Sequence, residues 1–236
     1  MQIVIDSLLE GARRATGTVV VIDVFRAFTT AAVLFSRGAE KIVMTETVDA
    51  AFALRDAGVG SLVIGEIDGV KVPGFDLGNS PFEASQREVE GRTIIQRTSA
   101  GTQGIVAALG GADRLYAGAL VTAPATARAV LAVATAPAVA PARVSLVAMG
   151  RAGRERTDED EICAIHLRNL LEGRPGAVAA VRDLILAGGQ IAEFRDPEVA
   201  HMHPGDLDIC LDIGRYDFAI RVTREDGRPV ARPERM

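Results

Sequence analysis

Short runs of consecutive apolar residues alternate along this chain with Ala-rich stretches whose apolar positions follow a helical spacing. TVVVID (18–23) predicts a buried strand and AFTTAAVLFSRG (27–38) the helix behind it. KIVMT (41–45), SLVIGE (61–66), RTIIQR (92–97), RLYAG (114–118) and RVSLVAM (143–149) predict further strands. Helices are expected at 48–58, after the turn that opens TSAGTQGIVAALGG (98–111), and at 123–134, 157–171 and 176–188. Strands that are apolar throughout are buried on both faces, and their alternation with helices predicts a layered α/β/α fold. Its sheet is expected to be largely parallel or mixed. Ligands bind such sheets beyond the carboxyl ends of the strands. The polar turns after residues 23, 66, 97 and 149 are therefore read as one candidate site.

IDVFRAFTTAAVLFSRGAEKIV and IIQRTSAGTQGIVAALGGADRLY share an order of strand, arginine, Thr-rich turn, helix and strand, which suggests a duplication and two similar lobes. ATAPAVAPA (134–142) reads as a Pro/Ala connector between them. We expect one domain over 1–224 and a flexible tail over 225–236 (EDGRPVARPERM).

Composition narrows the class. With 48% hydrophobic and 24% charged residues over 236 positions, the chain is an ordinary globular one. A net charge of −5 gives no general attraction for nucleic acid or anionic membranes. The only lysines are Lys41 and Lys71. Cys163 and Cys210 fit neither a disulfide framework nor a CxxC metal site, and read as buried free thiols. MQIVIDSLLEG lacks the basic region and apolar core of a secretory signal, and charges interrupt every run before membrane-spanning length. A cytoplasmic protein is expected, and a homo-oligomer is compatible with the sequence.

Four clusters carry candidate chemistry. DVFRAFTT places Asp23 at a strand end, followed by Arg26, Thr29 and Thr30 at a helix start. That order suits a metal-bound phosphate ester as well as a capped helix with a counter-ion. Phe25 stands where haloacid-dehalogenase phosphatases carry their second aspartate. EIDGVKVPGFDLGNSP (66–81) offers Glu66, Asp68, Asp76 and Asn79 as hard oxygen donors, with Lys71 and Ser80 for an anion. The same residues would build an Ω-loop that caps its own turns, pinned by Phe75 and Leu77. In the third cluster Arg97, Thr98, Ser99, Gly101 and Thr102 form either an anion cradle or a helix cap, without the Gly-Lys-Ser/Thr of a Walker A loop. The fourth, MGRAGRERTDEDEICA (149–164), sets Arg151, Arg154 and Arg156 before a helix opened by Glu159 and Asp160. Acidic residues there are also explained by the helix dipole. His201 and His203 are a weak metal signal, and His166 reads as structural. No cluster contains a histidine and no GxGxxG occurs, which disfavours a Ser-His-Asp hydrolase and a Rossmann dinucleotide site.

VVVIDVFRAFTTAAVLFSRGAEKI, GVKVPGFDLGNSPFE, EGRTIIQRTSAGTQG and EDEICA, in that order, resemble the 2-phosphosulfolactate phosphatase (ComB-like) family over residues 18–165. The resemblance implies a Mg²⁺-dependent phosphatase acting on a small anionic phosphoester. The family's reaction converts (R)-2-phospho-3-sulfolactate to 3-sulfolactate on the route to coenzyme M. On this reading Asp23, Glu66, Asp160 and, less strongly, Asp76 are metal ligands, while Asp23, Arg26, Glu66 and Asp160 carry catalysis. Arg26, Thr98, Ser99, Gly101 and Thr102 would hold phosphate, Thr29 and Thr30 would join them in binding substrate, and Lys71, Asn79, Ser80 and Arg151 would bind the remaining anionic groups or shape the pocket. Two departures stand out: Ile67 where the family usually has arginine, and Ala100 where it usually has asparagine. They keep open a phosphatase for another phosphorylated hydroxy acid and a non-catalytic anion-binding paralogue. A nucleotide-binding α/β module is a third reading.

Overall fold

The computed structural model of the chain describes residues 1–134, 142–174, 176–199 and 201–235, so the connector expected at 134–142 falls outside the described residues but for its two ends. The first half runs β1 (Gln2–Ser7), α1 (Leu8–Arg14), β2 (Gly17–Ile22), α2 (Ala27–Ser36), β3 (Lys41–Met44), α3 (Val48–Asp56), β4 (Leu62–Ile67), β5 (Val70–Lys71) and α4 (Pro81–Ser85). It continues through β6 (Thr93–Arg97), α5 (Gly101–Ala108), β7 (Ala112–Gly118), α6 (Ala123–Ala134) and β8 (Arg143–Ala148). Four helices follow: α7 (Asp158–Leu171), α8 (Val178–Leu186), α9 (Ile191–Arg195) and α10 (Pro204–Cys210). A hairpin of β9 (Ala219–Glu225) and β10 (Arg228–Glu234) comes last in the described chain.

The strands form one mixed sheet in the order β1-β8-β2-β7-β9-β10-β3-β6-β4-β5. β1, β8, β2 and β7 are a parallel arm, and β3, β6 and β4 are another. The hairpin joins them, pairing antiparallel with β7 on one side and β3 on the other. Three successive antiparallel pairings make the two arms run in opposite directions. The order is also a palindrome: β2-α2-β3-α3-β4 and β6-α5-β7-α6-β8 occupy equivalent places on either side of the hairpin. The two segments whose patterns match in the sequence are therefore equivalent crossovers between the arms.

The residues beyond 225, expected as a flexible tail, are the main correction. In β10 the prolines at 229 and 233 and the arginines at 228 and 232 look like linker composition. Yet Val230 and Ala231 are buried against β3, and Arg232 pairs with Glu225 on β9. Gln2–Ser7, which carried no strand expectation, pairs in parallel with β8.

Alternating side chains of the strands sort into separate cores, as the two-residue strand period requires. Val19, Val21, Ile42, Ile64, Ile94 and Leu115 join α1, α2 and α5 in one cluster reached from both arms. Val20, Ile22, Tyr116, Val144 and Leu146 pack outward with α6, α7 and α8. Val43, Val63, Ile95 and Val230 pack outward with α3. The helices α2 and α5 are thus held inside, and their N-termini meet. Gln96 at the end of β6 donates its Nε2 amide to the Ala27 carbonyl at 3.1 Å. No helix among the described residues is long and apolar enough to cross a membrane.

Candidate active site

Asp23 follows β2 immediately, in a turn that ends in a cis Phe25–Arg26 peptide. Its Oδ1 accepts the Ala27 amide at 2.9 Å, so the carboxylate sits at the start of α2 with only 5% of the residue exposed. Gly101, first residue of α5, comes so near that a Cβ on it would lie 2.8 Å from Asp23 Oδ2 and 2.7 Å from the Ala27 Cβ. Burial, reinforced by the charge of Glu66, pushes the Asp23 carboxyl up to about 7.

Glu66 is aimed by β4. Gly65 before it has φ +133 and lies against the Arg97 carbonyl, where any Cβ would fall within 1.7 Å. Only glycine permits that approach. Glu66 then accepts the Ser99 amide at 2.6 Å on Oε1, and the Gly69 amide at 2.7 Å and Ser99 Oγ at 3.1 Å on Oε2. The third and second clusters are thereby tied together. Asp68-Gly69 makes the two-residue turn between β4 and β5, both with positive φ, as Asp-Gly turns in hairpins do.

GFDLGNSP (74–81) runs back along the outer edge of β4. The Gly65 amide donates to the Leu77 carbonyl at 3.1 Å, and the Asp76 amide to the Val63 carbonyl at 2.8 Å. Phe75 meets Phe52 edge-on with ring centres 5.4 Å apart, and Leu77 enters the inner core. Ser80 N-caps α4 with Pro81 in the first turn. Both readings of this stretch have a share: its turns cap themselves, and Asn79 reaches the site.

Those elements line a cleft of about 370 Å³. Asp23, Arg26, Glu66, Asn79, Ser99 and Arg151 of the expected residues line it. The others do different work. Asp76 Oδ2 accepts the Val63 amide at 2.8 Å on the exposed edge of β4. Asp160 Oδ1 accepts the Val24 amide at 2.7 Å and Oδ2 the Gly150 amide at 2.8 Å, so it fastens the turns after β2 and β8 from beneath. Burial, with Glu159 and Asp23 nearby, holds its carboxyl well above the usual range. Thr29 and Thr30 donate to the carbonyls of Val24 and Asn79, and Thr98 and Thr102 exchange bonds with each other. Ser80 donates to Asp206 at 2.6 Å, and Lys71 is exposed on β5. Arg97 holds the Glu66 carbonyl at 2.6 Å.

Glu159, treated in the sequence as a dipole partner, lines the cleft instead of its neighbour Asp160. It is 3% exposed, and its Oε2 has no hydrogen-bond donor. Burial raises its carboxyl to about 7. Adjacent acidic residues in a first helical turn point in different directions, and no spacing rule on one sequence says which faces inward. Asp68, Arg154, His201, Met202 and Glu193 complete much of the wall. His201 and His203 lie in the turn before α10, where His203 stacks on Phe82 at 4.1 Å. Arg151 is paired with Glu193, and that hydrogen bond raises the guanidinium above its ordinary value against the opposing effect of burial. Ile67 is 44% exposed and outside the cleft, whereas Ala100 lines it.

Buried carboxylates and guanidinium groups gathered at strand ends in one cleft suit the hydrolysis of an anionic ester. The chain belongs to the 2-phosphosulpholactate phosphatase family, whose model matches residues 4–202. It is accordingly a phosphatase, a phosphoric monoester hydrolase. A protein of Bacillus subtilis (strain 168) named a probable 2-phosphosulfolactate phosphatase is 33% identical over 211 residues, covering 88% of this chain and 87% of its own. One of the same name from Deinococcus radiodurans is 41% identical over 139 residues, 59% of this chain and 55% of its own. Another from Carboxydothermus hydrogenoformans is 46% identical over 109 residues, 46% of this chain and 44% of its own.

Proposed function

We propose that this phosphatase hydrolyses the phosphate ester of a small polyanionic acid, (R)-2-phospho-3-sulfolactate to 3-sulfolactate, with Mg²⁺. The observation that carries the reading is the pairing, in one cleft, of buried carboxylates (Asp23, Glu66, Glu159) with Arg26, Arg151 and Arg154. A substrate bearing phosphate, carboxylate and sulfonate would meet all three arginines. The carboxylates would repel it without a cation.

Among the described residues no group of three or more His, Cys, Asp or Glu side chains is arranged to hold a metal. Mg²⁺ does not need one: it keeps several waters and takes one or two carboxylates plus substrate phosphate oxygens. The Glu159 Oε2, buried without a donor, is a free acceptor of the hard type such an ion takes. Asp23 and Glu159 are the residues that would hold it, with Glu66 bound more firmly to the protein's own amides. Asp160 and Asp76, spent on backbone amides, are the weaker choices among the ligands expected from sequence. When bound, Mg²⁺ neutralises phosphate charge and polarises the phosphoryl group.

The protein's own share is orientation. Arg26 uses only its NH1 nitrogen on protein acceptors, at 2.6 and 2.8 Å. Its remaining N–H groups have no protein acceptor among the described residues, Arg26 lines the cleft, and such groups suit phosphate oxygens. Arg154, exposed on the cleft wall without an ion pair among the described residues, suits the substrate's second anionic group. In the hydrolysis an oxygen nucleophile attacks phosphorus, the ester P–O bond breaks, and the leaving alkoxide takes up a proton. The nucleophile is water or the Asp23 carboxylate; trapping with BeF₃⁻ separates the two, because only a carboxylate nucleophile forms the acyl-phosphate mimic.

The test is phosphate release with Mg²⁺ across phosphorylated hydroxy acids, 2-phosphosulfolactate included. Turnover of 2-phosphosulfolactate with the highest kcat/KM supports the reading, and no release from any of them refutes it. Ala100 on the cleft wall favours a second reading, a related phosphorylated hydroxy acid, which the same ranking would identify.

A further inference from the structure

We infer that Asp206, on α10, is the positioning residue that fixes the Arg26 guanidinium for phosphate; the inference rests on the phosphatase reading above. Arg26 and Asp206 are 3% and 0% exposed, and Arg26 NH1 donates to Asp206 Oδ2 at 2.6 Å. The other oxygen, Oδ1, accepts Ser80 Oγ at 2.6 Å and the Phe82 amide at 2.9 Å. The same NH1 donates to the His201 carbonyl at 2.8 Å. The Arg26–Asp206 pair therefore ties the turn after β2, the end of GFDLGNSP and the segment leading into α10.

Chemistry makes this more than a buried ion pair. A guanidinium is a rigid planar fork, so fixing one nitrogen and the plane around it fixes where the other N–H groups point. Nε and NH2 of Arg26 have no protein acceptor among the described residues and are not buried without one, and Arg26 lines the cleft. Asp206 does not line it. The aspartate holds Arg26 from behind and leaves its free edge toward the substrate. Asp206 also lies beyond residues 4–202, the stretch matched by the family model.

The test uses the full chain with Mg²⁺ and follows binding of inorganic phosphate by calorimetry, with kcat and KM alongside. Asp206→Asn is expected to weaken phosphate binding roughly tenfold or more and to raise KM, while the chain still unfolds cooperatively. In an Arg26→Gln background the same substitution should have no further effect, because the group it positions is gone. Threefold or smaller weakening in a folded Asp206→Asn chain overturns the inference, as does a full additional loss in the Arg26→Gln background. If Asp206→Asn fails to fold, Asp206→Glu, which keeps the charge and displaces it by one methylene, takes its place with the same two thresholds. A wild-type chain that binds phosphate but hydrolyses no ester would refute the proposed function and leave this test readable. A wild-type chain that does not bind phosphate would refute the role of Arg26 and this inference with it.

Discussion

Asp23 and Glu159 keep their protons to about pH 7 in the folded chain, against ordinary values of 3.8 and 4.5. Over that interval the folded protein binds protons that the unfolded chain has released, so stability falls as pH rises from about 4 to about 7. Above pH 7 the full penalty of two buried charges is present. Asp23→Asn should therefore raise Tm by several degrees at pH 8 in EDTA and leave it nearly unchanged at pH 4, at roughly 2–4 °C per kcal/mol for a chain of this size. Phosphate release should meanwhile fall about a hundredfold or more. Near-normal turnover would return Asp23 to a purely capping role. The same replacement at Asp160 should act in the opposite direction. Both its oxygens accept backbone amides, so Asp160→Asn sets an NH₂ against one of them and should lower unfolding free energy by about 1–3 kcal/mol in urea at pH 5.

The crossover elements show how tightly the site depends on its neighbours. Gly101→Ala would place a methyl between the Ala27 Cβ and Asp23 Oδ2, forcing the N-termini of α2 and α5 apart. We expect a loss of about 1–3 kcal/mol, in the range for overpacking, and a larger proportional loss of kcat than of stability; equal activity would show that the spacing of the two helices is not critical. Most of these elements were legible in the sequence, because TVVVID, RTIIQR and RVSLVAM are short β-branched stretches between Ala-rich helical ones. The polar turns also meet where they were expected to meet. The inward face of a helix start was not legible: Glu159 and Asp160 are neighbours in sequence, and packing alone decides which lines the cleft. Nor were the threonines, since a hydroxyl beside a strand end serves a cap or a ligand equally well on paper. Thr98 and Thr102 spend theirs on each other.

For the whole molecule, the hairpin β9–β10 is the decisive unit. It supplies the pairing for β7 and for β3, with Ile220, Val222, Val230 and Ala231 buried. A chain cut after residue 218 should lose cooperative unfolding and expose apolar surface to a dye such as ANS. Native-like chevron kinetics in that fragment would refute the prediction. The composition of β10, with its arginines and prolines, concealed this because charge and proline content describe a strand poorly when only Pro229, Val230 and Ala231 of it are buried.

The placement of that hairpin also orders events during synthesis. Both arms come off the ribosome before the strands that join them. Until residue 219 and its successors emerge, β7 and β3 each present an open row of amides and carbonyls. Such rows are templates for pairing with another chain. A nascent chain stalled after β8 and before β9 is thus a form exposed to aggregation, and the hairpin that follows both arms closes both gaps at once.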